Sequence, residues 1–532
     1  MPEITQLPYS ATYFFSSLIA DYLADAPGIR PFYQYRPDAA GIEAAISHRK
    51  QVSTDRGTLV DVLQRQYREL PEEALVTANI ASLLQENTFT VCTAHQPNLG
   101  TGYLYFVYKI LHAVKLADEL KQKHPELHFV PVYYMGSEDN DLDELGTFRY
   151  AGKKFVWDAD GQTGAVGRMR TASLKPLLAD LFRLLGPPGE HLDALKEMLE
   201  TAYLEHDNIA DATQYLVHRL FGKYGLVVIN ADDAALKRTF IPVMEDDLLH
   251  HTALPVVIGA AEALGNAGYK AQAYPRPVNL FYLKDDIRER IEHHEDEWTA
   301  VDKGIRWNKT ELLEELHRHP ERFSPNVILR GVYQETILPN IVFIGGGAEV
   351  AYWMQLQGVF AHYKVPYPVI LLRQSVLWAG SKETLLRKKL NLSPEEVFKP
   401  EGELIKQFIA SNAADDWTTG FEASIFERQL NELKQKAGKI DPTLKASTEA
   451  VLTKIRYQLQ VLEKKMLRAE KRIMGIHLEQ VSKLKAALFP NNSLQERYDN
   501  FMPFYLQHGA AFFDELLHAI EPLAGTFLMI EE

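Results

Sequence analysis

The chain has 532 residues, 46% of them apolar, and a formal net charge of −14. So much apolar material excludes wholesale disorder, and at about 150 residues per domain the length points to roughly three domains, or two with a large insertion. The acidic balance argues against a surface that wraps nucleic acid as a whole, and a lone cysteine, Cys92, excludes a disulfide framework, a cysteine-rich zinc cluster or an iron–sulfur site within one chain.

Residues 1–85 read as helical. Ser10 is placed to cap a helix running to Ala24, and Leu59, Leu63, Tyr67 and Leu70 mark an apolar face. No basic start followed by an apolar run opens the chain. The most apolar long stretch, His251 to Tyr269, is interrupted by Pro255 and Glu262, so the expectation is a soluble cytoplasmic protein that does not span a membrane. From Thr88 the pattern changes. Thr88 to Thr93 is short, β-branched and apolar, a polar loop Ala94 to Gly102 follows, and Leu104, Val107, Tyr108, Leu111 and Val114 then recur at helical spacing. Phe129 to Met135, Leu226 to Ile229, Ile341 to Ile344 and Pro368 to Leu372 are further buried strands, most of them followed by helical patterns. Strands alternating with helices predict an α/β fold with a parallel sheet covered on both faces.

The expected segments are residues 1–150 with N-terminal helices and the first part of the sheet, 151–325 as a connecting insertion, 326–390 as the rest of the sheet, and 391–532 as a helical C-terminal region. Leu452, Ile455, Leu459, Leu462, Met466, Ala469, Ile473 and Ile476 alternate spacings of 3 and 4, a coiled-coil seam within about 444–489. Leu444 to Phe489 carries ten Lys/Arg against four Asp/Glu, net +6 in an acidic chain.

Chemistry-bearing residues gather at the ends of the predicted strands, where open parallel sheets bind ligands. The loop AHQPNLGTG offers His95, Gln96, Asn98, Thr101 and Gly102 before a helix N-terminus suited to an anion. It is neither a P-loop nor a dinucleotide fingerprint. A second strand ends in the acidic run Glu138 to Glu144, in which Glu138, Asp139 and Asp141 can hold Mg²⁺, an amine or sugar hydroxyls. The run is no EF-hand, because the sixth position from Asp139 is Glu144 and the twelfth is Tyr150. Gly345-Gly346-Gly347-Ala348-Glu349 follows a third strand and leads to Trp353. Arg373 and Ser375 close a fourth. Asn326, Arg330, Gln334 and Glu335 are polar positions on a largely apolar segment. No GxSxG elbow or HExxH occurs, and Cys92, inside an apolar strand, reads as core.

Several blocks in this order resemble the bacillithiol biosynthesis cysteine-adding enzyme family (BshC): LGTGYLYFVYK from Leu99, PVYYMGSEDNDLDEL from Pro131, NLFY from Asn279, FSPNVILR and QETILP from Phe323 to Pro339, AEVAYWMQL from Ala348, and LRQS from Leu372. The chain departs from the family pattern at Ala94, His95, Asn98 and Tyr103, and at Gly347-Ala348. The resemblance implies a Rossmann-like core related to class I aminoacyl-tRNA synthetases, helical connecting insertions, and a C-terminal coiled coil through which two chains pair. It implies a ligase that joins the carboxyl of L-cysteine to the amine of glucosaminyl-malate, with ATP or another nucleotide as activator and Mg²⁺ as a companion.

On that expectation Glu138, Asp139, Asp141 and Arg373 are the catalytic candidates. His95, Gln96, Asn98, Thr101, Gly102, Asn326, Arg330, Glu335, Gly346, Glu349, Trp353 and Ser375 are the substrate or nucleotide contacts, and no metal ligand is assigned. Two other readings of the same features are a synthetase-like protein gripping tRNA with its basic arm, and a non-catalytic dimeric scaffold.

Overall fold

The computed structural model describes residues 2–284, 286–301, 304–412 and 418–532. Its centre is a five-stranded parallel sheet in the order Val369–Leu372, Asn340–Gly345, Thr88–His95, His128–Met135, Val227–Asn230. The strands are apolar along most of their length because both faces are covered. Period two sends Phe89 and Val91 to one face with Val342 and Ile344, and Cys92 and Ala94 to the other with Val130, Val132 and Tyr134. Helix Leu104–Lys123, twenty residues long and buried through much of its length, connects the first two strands and fills one face.

The chain runs outward from Thr88–His95 through two strands, then returns to build the other half of the sheet from Asn340–Gly345. The neighbouring strands Thr88–His95 and Asn340–Gly345 therefore lead off in opposite directions. A crevice opens beyond their carboxyl ends at such a switch point.

The expected strands all form, to within two residues at each end. Val227–Asn230, expected within the segment 151–325, pairs in parallel with His128–Met135 and is a strand of the central sheet. The same segment supplies a second, antiparallel sheet in the order Ile305–Trp307, Glu297–Ala300, Ile287–His294, Leu280–Lys284, Phe323–Pro325. Near the N-terminus the expected helix from Ser10 is replaced by strand Glu3–Pro8, a 3-10 turn, and helix Ser17–Leu23 with Ser16 at its N-cap position. Tyr13, with φ of 62°, stops any helix from continuing through it. Glu3–Pro8 pairs antiparallel with Thr526–Glu531, which pairs in parallel with Val376–Ala379, so the two ends of the chain share one small sheet.

Helices Gly420–Ile440 and Leu444–Ile473 fold back on each other as an antiparallel hairpin, tied by Lys434 to Glu449 and by Arg456 to Glu427 at 2.7 Å. The helix that carries the seam ends at Ile473, so the last expected seam position, Ile476, falls on the next helix, and the coiled-coil segment expected over about 444–489 is two helices. Gly475 starts a separate helix to Leu488, whose Val481, Leu484 and Leu488 pack on the body. Ile473 and Ile476, both more than 70% exposed, are left outside the intrachain contact. Among the described residues no single helix is long and apolar enough to cross a membrane, and Ile241–His250 and Ala253–Asn266, which reach that composition together, meet at 80°.

The segment after the hairpin returns to the carboxyl end of the central sheet. Glu496, fully buried, accepts two hydrogen bonds from the Arg373 guanidinium at 2.6 and 2.7 Å and one from Ser375 Oγ at 3.2 Å. Removing one member of such a pair leaves a buried charge unpaired, at a cost of about 3–5 kcal/mol. Glu496→Ala is therefore expected to lower stability by about 3 kcal/mol or more in chemical denaturation. A loss below about 1 kcal/mol would show that the pair does not hold the segment.

Candidate functional site

A cavity of about 650 Å³ opens at the switch point. Its floor comes from the strand ends. His95 closes strand Thr88–His95, Gly346 follows Asn340–Gly345, and Arg373 follows Val369–Leu372. One wall is the start of helix Val327–Ile337, and the roof is the antiparallel sheet with Phe281, Arg288 and Arg290.

His95 is half-buried, and its ring meets Tyr105 edge to face at 5.3 Å. Burial, with Lys109 and Arg373 nearby, holds its pKa well below the usual histidine range, so the ring is neutral at pH 7. Its Nε2 has no protein partner among the described residues. Gln96 lines the cavity beside it. Glu349 accepts from the backbone N–H of Gly346 at 2.8 Å and forms an ion pair with Lys109, whose Nζ also donates to Ala94 O at 2.9 Å. Arg330 donates to the Tyr352 hydroxyl at 2.6 Å and to Gln334 at 3.2 Å, and lies over the faces of Tyr134 and Phe343. Asn326 caps its helix through the N–H of Ile328 at 2.8 Å and donates to Asn279 Oδ1 at 3.1 Å. Arg373 is neutralised by Glu496, but its Nε, close to Gly346, is buried without a partner among the described residues.

His95, Gln96, Asp139, Asn326, Arg330, Gly346, Glu349 and Arg373 thus meet in one place, drawn from residues almost 280 positions apart. The other expected contacts lie elsewhere. Asn98, Thr101 and Gly102 belong to a packed turn: Asn500 Nδ2 donates to the carbonyls of Gly100 and Gly102 at 2.8 and 2.6 Å, and Tyr203 accepts from Gly100 N–H. The N–H of Leu104, at the start of the helix expected to hold an anion, is taken by Asp499 O at 2.9 Å. The returning C-terminal segment fills the place assigned to phosphate.

The acidic run has a different use as well. Glu138 is paired with buried Lys237, which also donates to Phe323 O at 2.9 Å. Asp141 caps the short helix Leu142–Leu145. Asp139 faces the cavity but accepts from Arg288 at 3.1 Å, and Arg288 in turn stacks on Phe281. Asp139, through Arg288, and Glu138, through Lys237, pin the antiparallel sheet over the site. Trp353 is core, stacked on Phe343 at 4.4 Å. Ser375 supports the Arg373–Glu496 pair from behind. Among the described residues no group of three or more His, Cys, Asp or Glu side chains is arranged to hold a metal ion.

Seven lining residues are Lys or Arg and three are Asp or Glu, an excess of positive charge within a chain of net −14. Lys109, Arg288 and Arg373 are paired with carboxylates. Arg276, Arg290, Arg330 and Arg497 form no ion pair with a described carboxylate, although Glu349 lies near enough to Arg330 to help raise its pKa. The signal that marks Lys109 in the sequence is a charge on an otherwise apolar helix face. Glu144, also at the cavity, has its pKa raised by burial and by Asp141 and Asp139.

Glu335 lies behind the wall, fully buried. Its Oε1 accepts from Gln334 and Asn340, both at 2.8 Å, so it reaches the cavity only through Gln334 and Arg330. Burial raises its pKa to about 7, against a partial offset from Arg49. The folded protein keeps this proton up to about pH 7, while the unfolded chain loses it near 4.5. Stability is then highest below the unfolded value and falls as pH rises through that window, by on the order of 3 kcal/mol from this group. Asp247, raised to about 7 by burial, acts in the same direction. Glu335→Gln is expected to flatten the decline between pH 5 and 7.5 in denaturation midpoints without abolishing it. An unchanged slope would assign the titration elsewhere.

The fold and the cavity define a Rossmann-like α/β protein with a cationic cleft and a helical hairpin. The family described as "Bacillithiol biosynthesis BshC, N-terminal Rossmann-like domain" matches residues 2–374, and its "C-terminal coiled-coil domain" matches residues 378–532. The chain belongs to this BshC family. It is 39% identical over 526 residues to a protein of Flavobacterium johnsoniae, covering 98% of this chain and 99% of that one. It is 38% identical to one of Christiangramia forsetii, covering 98% of each, and 31% identical to one of Salinibacter ruber, covering 96% of each. All three relatives carry the name "Putative cysteine ligase BshC".

Proposed function

We propose that this chain is the cysteine ligase of bacillithiol biosynthesis, forming the amide between the carboxyl of L-cysteine and the amine of glucosaminyl-malate. A role in that pathway follows from the family, and the single observation that carries the chemistry is the cavity at the switch point with four guanidinium groups that form no ion pair with a described carboxylate. Such a site favours a ligand with several negative charges. Both a nucleotide and the malyl group qualify.

A carboxylate does not condense with an amine in neutral water unless its oxygen is first made a leaving group. In the proposed reaction the cysteine carboxylate attacks a phosphorus of ATP. Pyrophosphate leaves if an acyl-adenylate forms, and ADP leaves if an acyl-phosphate forms. The amine of the sugar then attacks the acyl carbon, loses a proton, and expels AMP or phosphate. Arg330 holds an anionic reactant, and the Nε–H of Arg373 and the backbone around Gly346 meet charge as it develops. Neutral His95 and Glu144 are the groups at the cavity able to accept the amine's proton. Any Mg²⁺ arrives on the nucleotide phosphates, since it then needs few protein ligands. The exposed apolar residues Ile473 and Ile476 support pairing of two chains along the helical hairpin.

The test is to incubate the purified protein with glucosaminyl-malate, L-cysteine and ATP and to follow bacillithiol and the nucleotide product by mass spectrometry. Formation of bacillithiol together with AMP or ADP is expected, and the identity of the nucleotide names the intermediate. Absence of all three would overturn the ligase reading. Arg330→Gln is expected to cut kcat/KM about ten- to hundredfold, the loss of a charge-assisted contact of about 1.5–3 kcal/mol.

A further inference from the structure

The stretch that leads into strand Leu280–Lys284 reads Tyr274-Pro275-Arg276-Pro277. Each proline fixes its own φ and pushes the residue before it into extended backbone, so Tyr274 and Arg276 are both held extended by their successors. The stretch is clamped at either end. Gln355, fully buried, accepts from the backbone N–H groups of Gln272 and Ala273 at 2.7 and 2.9 Å and donates to Ala273 O at 2.9 Å. Asn279, also fully buried, accepts from the N–H of Arg276 at 3.1 Å, donates to Arg276 O at 3.0 Å and is itself held by Asp247 at 2.9 Å.

Between the two clamps Tyr274 is 75% exposed, and both Tyr274 and Arg276 line the cavity. A tyrosine left that open on a rigid strap at the rim of a cationic cleft presents a flat face to whatever enters. The guanidinium two residues away has no carboxylate partner among the described residues.

We propose that this strap is a preformed nucleotide platform, in which the Tyr274 ring stacks on the base and Arg276 takes a phosphate. It rests on the nucleotide-dependent reaction proposed above and names which residues of this chain hold the activator. A flat ring joined to an anionic tail is the ligand that matches an aromatic face and a guanidinium fork on one strap. The proline spacing and the buried amide clamps keep the pair in place before binding, which reduces the ordering cost of capture.

Equilibrium binding of ATP, inorganic tripolyphosphate and glucosaminyl-malate to the full chain tests this. Tyr274 is exposed, so substitutions there leave the core intact. Tyr274→Ala is expected to weaken ATP roughly tenfold or more, the loss of one base-stacking contact, and to leave tripolyphosphate unchanged. Tyr274→Phe restores ATP affinity, and Arg276→Gln weakens ATP and tripolyphosphate alike. The platform is overturned if Tyr274→Ala binds ATP as the parent does, if it weakens only glucosaminyl-malate, or if the parent protein binds no ATP. Bacillithiol formed by a Tyr274→Ala protein of parental ATP affinity removes the platform and leaves the ligase reading standing. A Tyr274-dependent ATP affinity in a protein that makes no bacillithiol keeps the platform and removes the ligase reading.

Discussion

The buried pair between Arg373 and Glu496 fixes the geometry on which the site depends. Arg373 follows the edge strand of the central sheet, and Glu496 lies beyond the helical hairpin, 123 residues later. Neither charge has another ionic partner among the described residues, so the pair ties the segment 490–502 to the carboxyl end of the sheet. Once there, its Asn500 locks the turn after the first strand, its Asp499 carbonyl closes off the helix that follows, and its Arg497 reaches the cavity. The two family segments, 2–374 and 378–532, therefore build one site between them.

Electrostatics divides the lining into two sets. Lys109, Arg288 and Arg373 are spent on carboxylates and serve to position strands, the antiparallel sheet and the C-terminal segment. The remaining arginines form no ion pair with a described carboxylate, which leaves the lining with an excess of positive charge. Low dielectric around these groups strengthens their pull on an anion and also holds His95 neutral. A polar cavity inside an acidic protein thus carries the opposite sign from its surroundings.

The parallel sheet was legible in the sequence because strands covered on both faces are continuously apolar, and the interruptions between them are helical in period. The residues at strand ends were legible for the same reason: His95, Gly346, Glu349 and Arg373 follow directly from where a strand stops. Asn98, Thr101 and Gly102 were misplaced because a polar turn before a helix has the same composition whether it meets a ligand or another stretch of chain. Here Asn500, some 400 positions away, decided it. Glu138 was misplaced because its partner Lys237 is separated from it by 99 residues. Arg276, Arg290 and Arg497 carry no local signal, since an arginine on an irregular stretch or an exposed strand looks like ordinary surface until the second sheet is placed over the first.

Strand Glu3–Pro8 pairs along its length with Thr526–Glu531, some 520 residues away in the chain. A contact of that separation closes a very long loop, and the entropy of closure must be met before the pairing returns anything. The small sheet is thereby a late event in folding, able to zip up only after the central sheet has drawn its two strands within reach.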